Sequence, residues 1–411
     1  MKEIIKNIYK YVDNKFYFKL LYLFVSLTTV TMLKYVPGIR VLNYIALAWG
    51  IILILLMVFK NYKYRKIYRF DIPLILLIIV TFILNVTVYR NVENIKVWLI
   101  NLILFVTIFT VDIFRNKKNI IKEMNIITYF YAIFMFIASS ISLIMKIFNI
   151  KIELGDVIFE LGGIHGGIFE NKNAISIATA IAMVMCIYLS SIAKMNKEKI
   201  FWIFNILLQL TTMINSNGRS ALLIVIAVVY LFTFAYYKNK YLRGALIILS
   251  VIAIFGVSFL VSEETVRIFT SGRSSLWTSG IMAIEKHPLI GVGYNNFTDA
   301  VRSARDTTDL PGLDYGGVHN IYLQITIING IVSLALLLLF LILFLIFIIK
   351  HLDKLKKKDK LQMTTLTSML VGILAVNLFE SNLVYIISFI SIIFWIYAGY
   401  LVSILDNRNV E

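Results

Sequence analysis

Residues 329–379 read NGIVSLALLLLFLILFLIFIIKHLDKLKKKDKLQMTTLTSMLVGILAVNLF. The stretch holds two apolar runs, 329–349 and 361–379, separated by the densest lysine cluster in the chain, Lys350 to Lys360. A run of about 20 apolar residues can cross the hydrocarbon core of a bilayer as a helix. A backbone facing lipid must satisfy its own hydrogen bonds, and helices do so within one segment. Lysine and arginine collect in loops that stay cytoplasmic. The stretch therefore predicts two crossings joined by a cytoplasmic loop.

The same punctuation repeats outward from it. We read twelve spans, at 17–33, 42–59, 72–89, 97–114, 124–148, 173–193, 199–215, 220–237, 243–262, 329–349, 361–379 and 384–405. Basic residues mark every second connection: the N-terminus with Lys2, Lys6, Lys10 and Lys15, then Lys60 to Lys66, Arg115 to Lys118, Lys194 to Lys199 and Lys238 to Arg243. Both termini are expected in the cytoplasm. Of the 411 residues, 60% are hydrophobic and only 15% charged, against about 25% charged in soluble domains. The expected class is an all-α polytopic membrane protein of about twelve transmembrane helices. The net charge of +17 does not indicate nucleic-acid binding, because its sources are these short loops. The one cysteine, Cys186, lies inside an apolar run and permits no internal disulfide. No cleavable signal peptide is expected, since the first apolar run is itself long enough to span.

This organisation divides the chain into 1–262, carrying spans one to nine; 263–328, a large extracytoplasmic loop; and 329–411, carrying spans ten to twelve and a cytoplasmic C-terminus. The loop contains Trp277, Ile281, Met282, Leu289, Ile290 and Phe297. That apolar content predicts that it folds back onto the membrane rather than remaining disordered. Ser274 to Glu285 reads as a short helix ended by His287-Pro288, and Ile321 to Ile328 as a second helix entering span ten.

The polar motifs fall in the breaks assigned to the outer face. Arg219 closes the turn Ser216-Asn217-Gly218 and opens span eight. Its guanidinium suits a phosphate, bound through a bidentate fork; the competing reading is a side chain snorkelling at a span end. Arg273 follows Gly272 at the start of the loop helix, where free N–H groups favour an anion; it also reads as a solvated loop residue. His319 precedes Asn320 and is suited to proton transfer, or to capping a helix start. Asn171 and Asn173 offer amide donors for sugar hydroxyls, and Glu380 a carboxylate at a span end. His165 and His287 carry weaker signals, and His351 lies on the cytoplasmic side. Gly291 and Gly293 after Pro288 predict a tight turn with positive φ. The chain has no Asp-x-Asp pair, no zinc-type cluster, no phosphate-binding P-loop and no nucleophile elbow. No cofactor and no metal is expected, and the energy for any reaction must come from the substrate or a gradient.

In order and spacing, Ser216 to Ala221, Gly272-Arg273 with Trp277, Pro288 to Gly293 with Phe297, and His319 to Leu323 followed by Gly330 resemble the O-antigen ligase/polymerase superfamily. Gly167 to Asn173 is similar to that family's segment upstream of the arginine turn. The resemblance covers about residues 165–335. It implies a metal-independent, inverting glycosyltransferase of GT-C-like architecture in the bacterial cytoplasmic membrane, acting at its outer face on a glycan carried by undecaprenyl diphosphate. Arg219 and Arg273 fall on the family's diphosphate-binding arginines, and His319 on the histidine proposed to activate the acceptor hydroxyl. Ser216, Asn217, Gly291, Gly293 and Asn320 become candidates for substrate binding beside Asn171, Asn173 and Glu380. Expected partners are the lipid-linked oligosaccharide donor, a glycan acceptor, membrane lipids, a flippase and a chain-length regulator, without nucleic acid. The abundance of Lys, Ile and Asn with only 4 Pro suggests an AT-rich genome and tilts the reading toward a capsular or exopolysaccharide polymerase over a ligase acting on lipid A core or protein. A lipid-linked oligosaccharide flippase is the alternative from another class. It would place polar groups near the bilayer midplane, whereas these cluster at one face.

Overall fold

The computed structural model describes residues 11–59, 66–260 and 262–409. Lys2, Lys6, Lys10 and Lys60 to Arg65, on which the expected orientation partly rests, lie outside the described residues. The chain is mostly helical. Its first part comprises α1 (Lys15–Thr28), α2 (Ile39–Phe59), α3 (Asp71–Leu84), α4 (Val92–Leu102), α5 (Lys117–Ile147), α6 (Lys172–Ile192), α7 (Asn196–Ser216), α8 (Ser220–Tyr236) and α9 (Lys240–Leu260). Four short helices follow: α10 (Glu263–Phe269), α11 (Arg273–Lys286), α12 (Phe297–Arg302) and α13 (Leu313–Gly316). The last three are α14 (Ile321–Leu352), α15 (Lys357–Val376) and α16 (Phe389–Leu405). Each apolar run read from the sequence overlaps one of α1–α9 or α14–α16, and the run 97–114 shares only its first residues with α4. Among the described residues, five helices are long and apolar enough to cross a membrane: α2, α3 with its extension to Tyr89, α5, α6 and α14; α8 and α16 are shorter apolar helices.

Every residue of α16 from Phe389 to Ile404 is buried. A helix apolar on all sides belongs in the interior of a bundle, and α16 packs on α1, α5, α14 and α15. Trp395 sits at its centre, with ring centroids 4.8 Å from Phe105, 5.6 Å from Phe109 and 5.5 Å from Phe340. Gly399 lets the backbone of Thr110 approach: a Cβ there would lie 2.5 Å from the Thr110 carbonyl oxygen. Small residues permit such contacts between membrane helices.

Helix α14 merges the expected entry helix with span ten, and it bends where they join. Gly330 has φ 80° and ψ 171°, outside the helical region, so nearby carbonyls lose their in-helix donors. The loop after α11 replaces those donors. Val292 and Gly293 donate to the carbonyls of Ile327 and Ile328 (both 2.9 Å), and Ile331 donates to Pro288 (2.8 Å). The Tyr89 hydroxyl also donates to Ile328. Gly291 (φ 68°) and Gly293 (φ 79°) adopt the left-handed turn the sequence predicts, and a Cβ on Gly291 would lie 2.5 Å from the Ile328 carbonyl oxygen. The strain of a left-handed conformation alone costs on the order of 1–3 kcal/mol. Gly330→Ala and Gly291→Ala should each lower the thermal midpoint of the purified protein by more than an exposed-surface alanine substitution does. An unchanged midpoint would show that the clasp is dispensable.

The mostly helical chain is consistent with the expected all-α class and adds one small element. Residues 152–166 form two small antiparallel hairpins, β1 (Ile152–Leu154) with β2 (Val157–Phe159) and β3 (Leu161–Gly162) with β4 (His165–Gly166). Met32 donates to Ile168 and Glu170 to Val30, and Lys34 pairs with Glu170. These bonds fix the chain just before α6.

At the opposite end of the bundle, Arg243 forks onto Asp353 with two 2.9 Å bonds and Lys360 adds a third at 3.0 Å. Burial works against the charge on Asp353, but the bonds from Arg243 and Lys360 outweigh it and hold the carboxyl below its ordinary value of 3.8. A depressed carboxyl contributes stability above its unfolded-state pKa and loses it as pH falls through the folded value. Asp353→Asn should therefore destabilise the protein at pH 7 and by progressively less below about pH 4, measured by thermal unfolding across that range.

Candidate active site

The ends of α6, α7, α8, α11, α14 and α15 converge on one side of the bundle. Asn171 caps α6 by accepting from Ala174 and so presents Lys172 and Asn173 at the helix mouth. Ser176 and Ser216 hydroxyls lie 2.5 Å apart, which joins the start of α6 to the end of α7. Asn217 then turns left-handed at φ 57°, and Gly218 packs against α6, where a Cβ would lie 2.7 Å from the Lys172 carbonyl oxygen. That close approach aims Arg219 over the mouth of α6.

Arg273 arrives from the other direction. Ser271 (φ 56°) and Gly272 (φ 81°) reverse the chain after α10, making Arg273 the first residue of α11. Its Nη2 donates to Glu380 Oε1 at 3.1 Å, and its Nη1 donates to the Phe379 carbonyl. Asn173 Nδ2 donates to the same Oε1 at 3.1 Å. The second carboxylate oxygen, Oε2, lies 3.5 Å from His319 Nδ1. Trp277 ties α11 to the histidine loop by donating to the Val318 carbonyl at 3.0 Å. The His319 backbone is left-handed at φ 49°, a conformation histidine adopts more readily than most residues. Glu380 is thus the joint at which Asn173, Arg273 and His319 meet, and its side chain is 8% exposed.

Two cavities adjoin this joint. The larger, about 690 Å³, is lined by Lys172, Arg219 and Arg273 at its polar end and by Met213, Ile214, Leu222 and Leu223 below. No acidic residue lines it among the described residues. Among the described residues Arg219 makes one hydrogen bond, from Nη1 to the Ile268 carbonyl at 3.2 Å, and it lines the cavity. The smaller cavity, about 450 Å³, holds His319 and Glu380 with Tyr294, Tyr315 and Tyr385. Lys172 and Asn173 form a wall common to both. One cavity suits an anion with an apolar tail, and the other a polar, uncharged group beside a base.

The sequence candidates divide accordingly. Arg219, Arg273, Asn173 and Asn217 line the larger cavity; His319, Glu380, Asn171 and Asn173 line the smaller. Asn171 also spends its side-chain oxygen on the α6 cap. Ser216 lines neither: it is fully buried and donates to the Met213 carbonyl. Gly291 and Gly293 serve the clasp on α14. Asn320 accepts from the Tyr322 and Leu323 amides as the cap of α14. Glu380, read as a substrate ligand, is occupied by protein partners. Sequence reasoning passed over Lys172, because a lysine at a helix end reads as snorkelling, and Gln324, one turn into an apolar helix.

Residues 204–338 match the family model described as O-antigen ligase. The chain is similar to that family over this segment. The segment runs from within α7 to just beyond the bend of α14 and contains Arg219, Arg273 and His319, while Asn173 and Glu380 are brought to them from outside it. No curated protein matches the chain. The match and the apolar helices fit a membrane protein similar to the O-antigen ligase superfamily over that stretch.

Proposed function

We propose that this protein polymerises undecaprenyl-diphosphate-linked oligosaccharide repeat units into a capsular polysaccharide, exopolysaccharide or O-antigen. It does so at the outer face of the bacterial cytoplasmic membrane, with both termini inside. The observation that carries this reading is the Glu380 joint, which links Arg273 on an acid-free cationic cavity to His319 on a second cavity that holds the carboxylates of Asp314 and Glu380. The lipid diphosphate of the donor occupies the larger cavity, its polyprenyl chain lying along Met213, Ile214, Leu222 and Leu223. The acceptor hydroxyl enters from the His319 side. Its proton passes to His319 Nε2 as its oxygen bonds to the donor's anomeric carbon, and the bond from that carbon to the diphosphate breaks. Attack from the side away from the leaving group inverts the centre. Lys172, Arg219 and Arg273 stabilise the negative charge that grows on the departing diphosphate. Glu380 faces Nδ1, keeps Nε2 as the free ring nitrogen and favours the imidazolium once it forms. The diphosphate is already an activated leaving group, so the reaction needs neither a nucleotide nor a metal.

The test is a ladder assay. Purified protein in liposomes receives a lipid-linked repeat unit, and the products are resolved by length. A ladder of lipid-linked oligomers supports polymerisation. Transfer only to a different added acceptor would make the protein a ligase, and labelled substrate that only changes leaflet would make it a flippase.

A further inference from the structure

The smaller cavity contains polar atoms that the protein leaves unpaired. His319 Nδ1, Gln324 Oε1 and Ser381 Oγ are buried without a hydrogen-bond partner, and all three residues line this one cavity. Gln324 is only 7% exposed. Buried polar groups are normally satisfied, so an orphan calls for a reason of its own; His319 Nδ1 faces Glu380 Oε2, and the other two, around one space, point to a missing ligand. A Cβ on Gly317 would lie 2.5 Å from Gln324 Oε1, so the glycine leaves the amide room at the cavity wall. The chemistry of the set is specific. An amide oxygen accepts and a serine hydroxyl both donates and accepts, which matches adjacent sugar hydroxyls. Tyr294, Tyr315 and Tyr385 supply apolar ring faces with polar tips, and Tyr315 is 99% exposed at the rim. Among the described residues Lys172 is the only lysine or arginine lining the space, against the carboxylates of Asp314 and Glu380, so a phosphate is disfavoured here.

We propose that this cavity is an acceptor-sugar subsite. Gln324 and Ser381 hold hydroxyl groups of a neutral pyranose so that another of its hydroxyls lies against His319. The proposal rests on the glycosyl-transfer reading above and adds the class of acceptor and the residues that select it. Selectivity for the repeat unit then lies in α13, the start of α14 and the segment after Glu380.

The experiment uses the full chain in nanodiscs, saturation-transfer NMR with a panel of neutral methyl pyranosides, and pyrophosphate binding measured separately. Wild type should show transfer to at least one glycoside. Gln324→Leu and Ser381→Ala should each weaken that binding about two- to tenfold, the worth of one hydrogen bond. Replacing an unpaired buried amide by an apolar group of similar shape should leave the thermal midpoint unchanged or raise it, whereas a structural Gln324 would lower it. Arg219→Ala should weaken pyrophosphate binding and leave glycoside binding intact. Equal glycoside binding in wild type and both cavity variants would overturn the subsite. So would no glycoside binding to a wild type that binds pyrophosphate; the donor reading would then stand alone. Glycoside binding without pyrophosphate binding would sink the donor cavity and keep the sugar subsite.

Discussion

His319→Asn is expected to reduce ladder formation about 10²- to 10⁴-fold, the usual worth of a positioned general base, while leaving the protein folded. Asparagine is the informative replacement because His319 sits at φ 49°, where asparagine is tolerated and alanine is strained. It retains a polar side chain of similar reach but cannot take up a proton near neutral pH. The 3.5 Å separation of Nδ1 from Glu380 Oε2 is long for a hydrogen bond, and such contacts commonly tighten only when substrate is bound. Glu380→Gln should then cost less than His319→Asn, because the base remains and only its orientation and charge support are lost. Rates and thermal midpoints of both variants check this. A His319→Asn variant that still makes a full-length ladder would remove the histidine from the chemistry and leave the cationic cavity as a binding site only.

The helices were legible because apolar length and basic punctuation are local properties. Ser274 to Glu285 was readable as a helix, and Arg273–Lys286 is the helix observed, because Gly272 and Pro288 mark its ends. The hairpins between Ile152 and Gly166 were not, since strands of two or three residues carry no period. At the site, residue types were legible and their employment was not. Gly291 and Gly293 resemble a ligand cradle in sequence, yet their turn meets carbonyls freed by Gly330, a demand visible only once α14 is seen to bend. Asn320 and Ser216 carry suitable side chains but spend them on a helix cap and a helix contact. The pairing of Glu380 with Arg273 and His319 joins residues far apart in the chain, and only the packing of α11, α14 and α15 brings them together.

Arg273→Ala should abolish activity for two separable reasons, and a second substitution tells them apart. Removing a charge that stabilises a departing anion costs about 10²- to 10³-fold in rate by analogy with loss of an oxyanion-hole donor, and Arg219→Ala should show that loss alone, since among the described residues Arg219 bonds only to the Ile268 carbonyl. Arg273 does more. Its side chain is 12% exposed and that of Glu380 8%, so alanine at 273 strands a buried carboxylate. Breaking a buried ion pair from one side costs about 3–5 kcal/mol, offset here in part by the Asn173 amide that still donates to Oε1. Arg273→Ala should therefore lower the thermal midpoint clearly and Arg219→Ala hardly at all. Adding Glu380→Gln to Arg273→Ala removes the stranded charge and should recover most of the midpoint without recovering the ladder. Recovery of both would mean that Arg273 acts only by holding Glu380, and the diphosphate would then be left to Lys172 and Arg219.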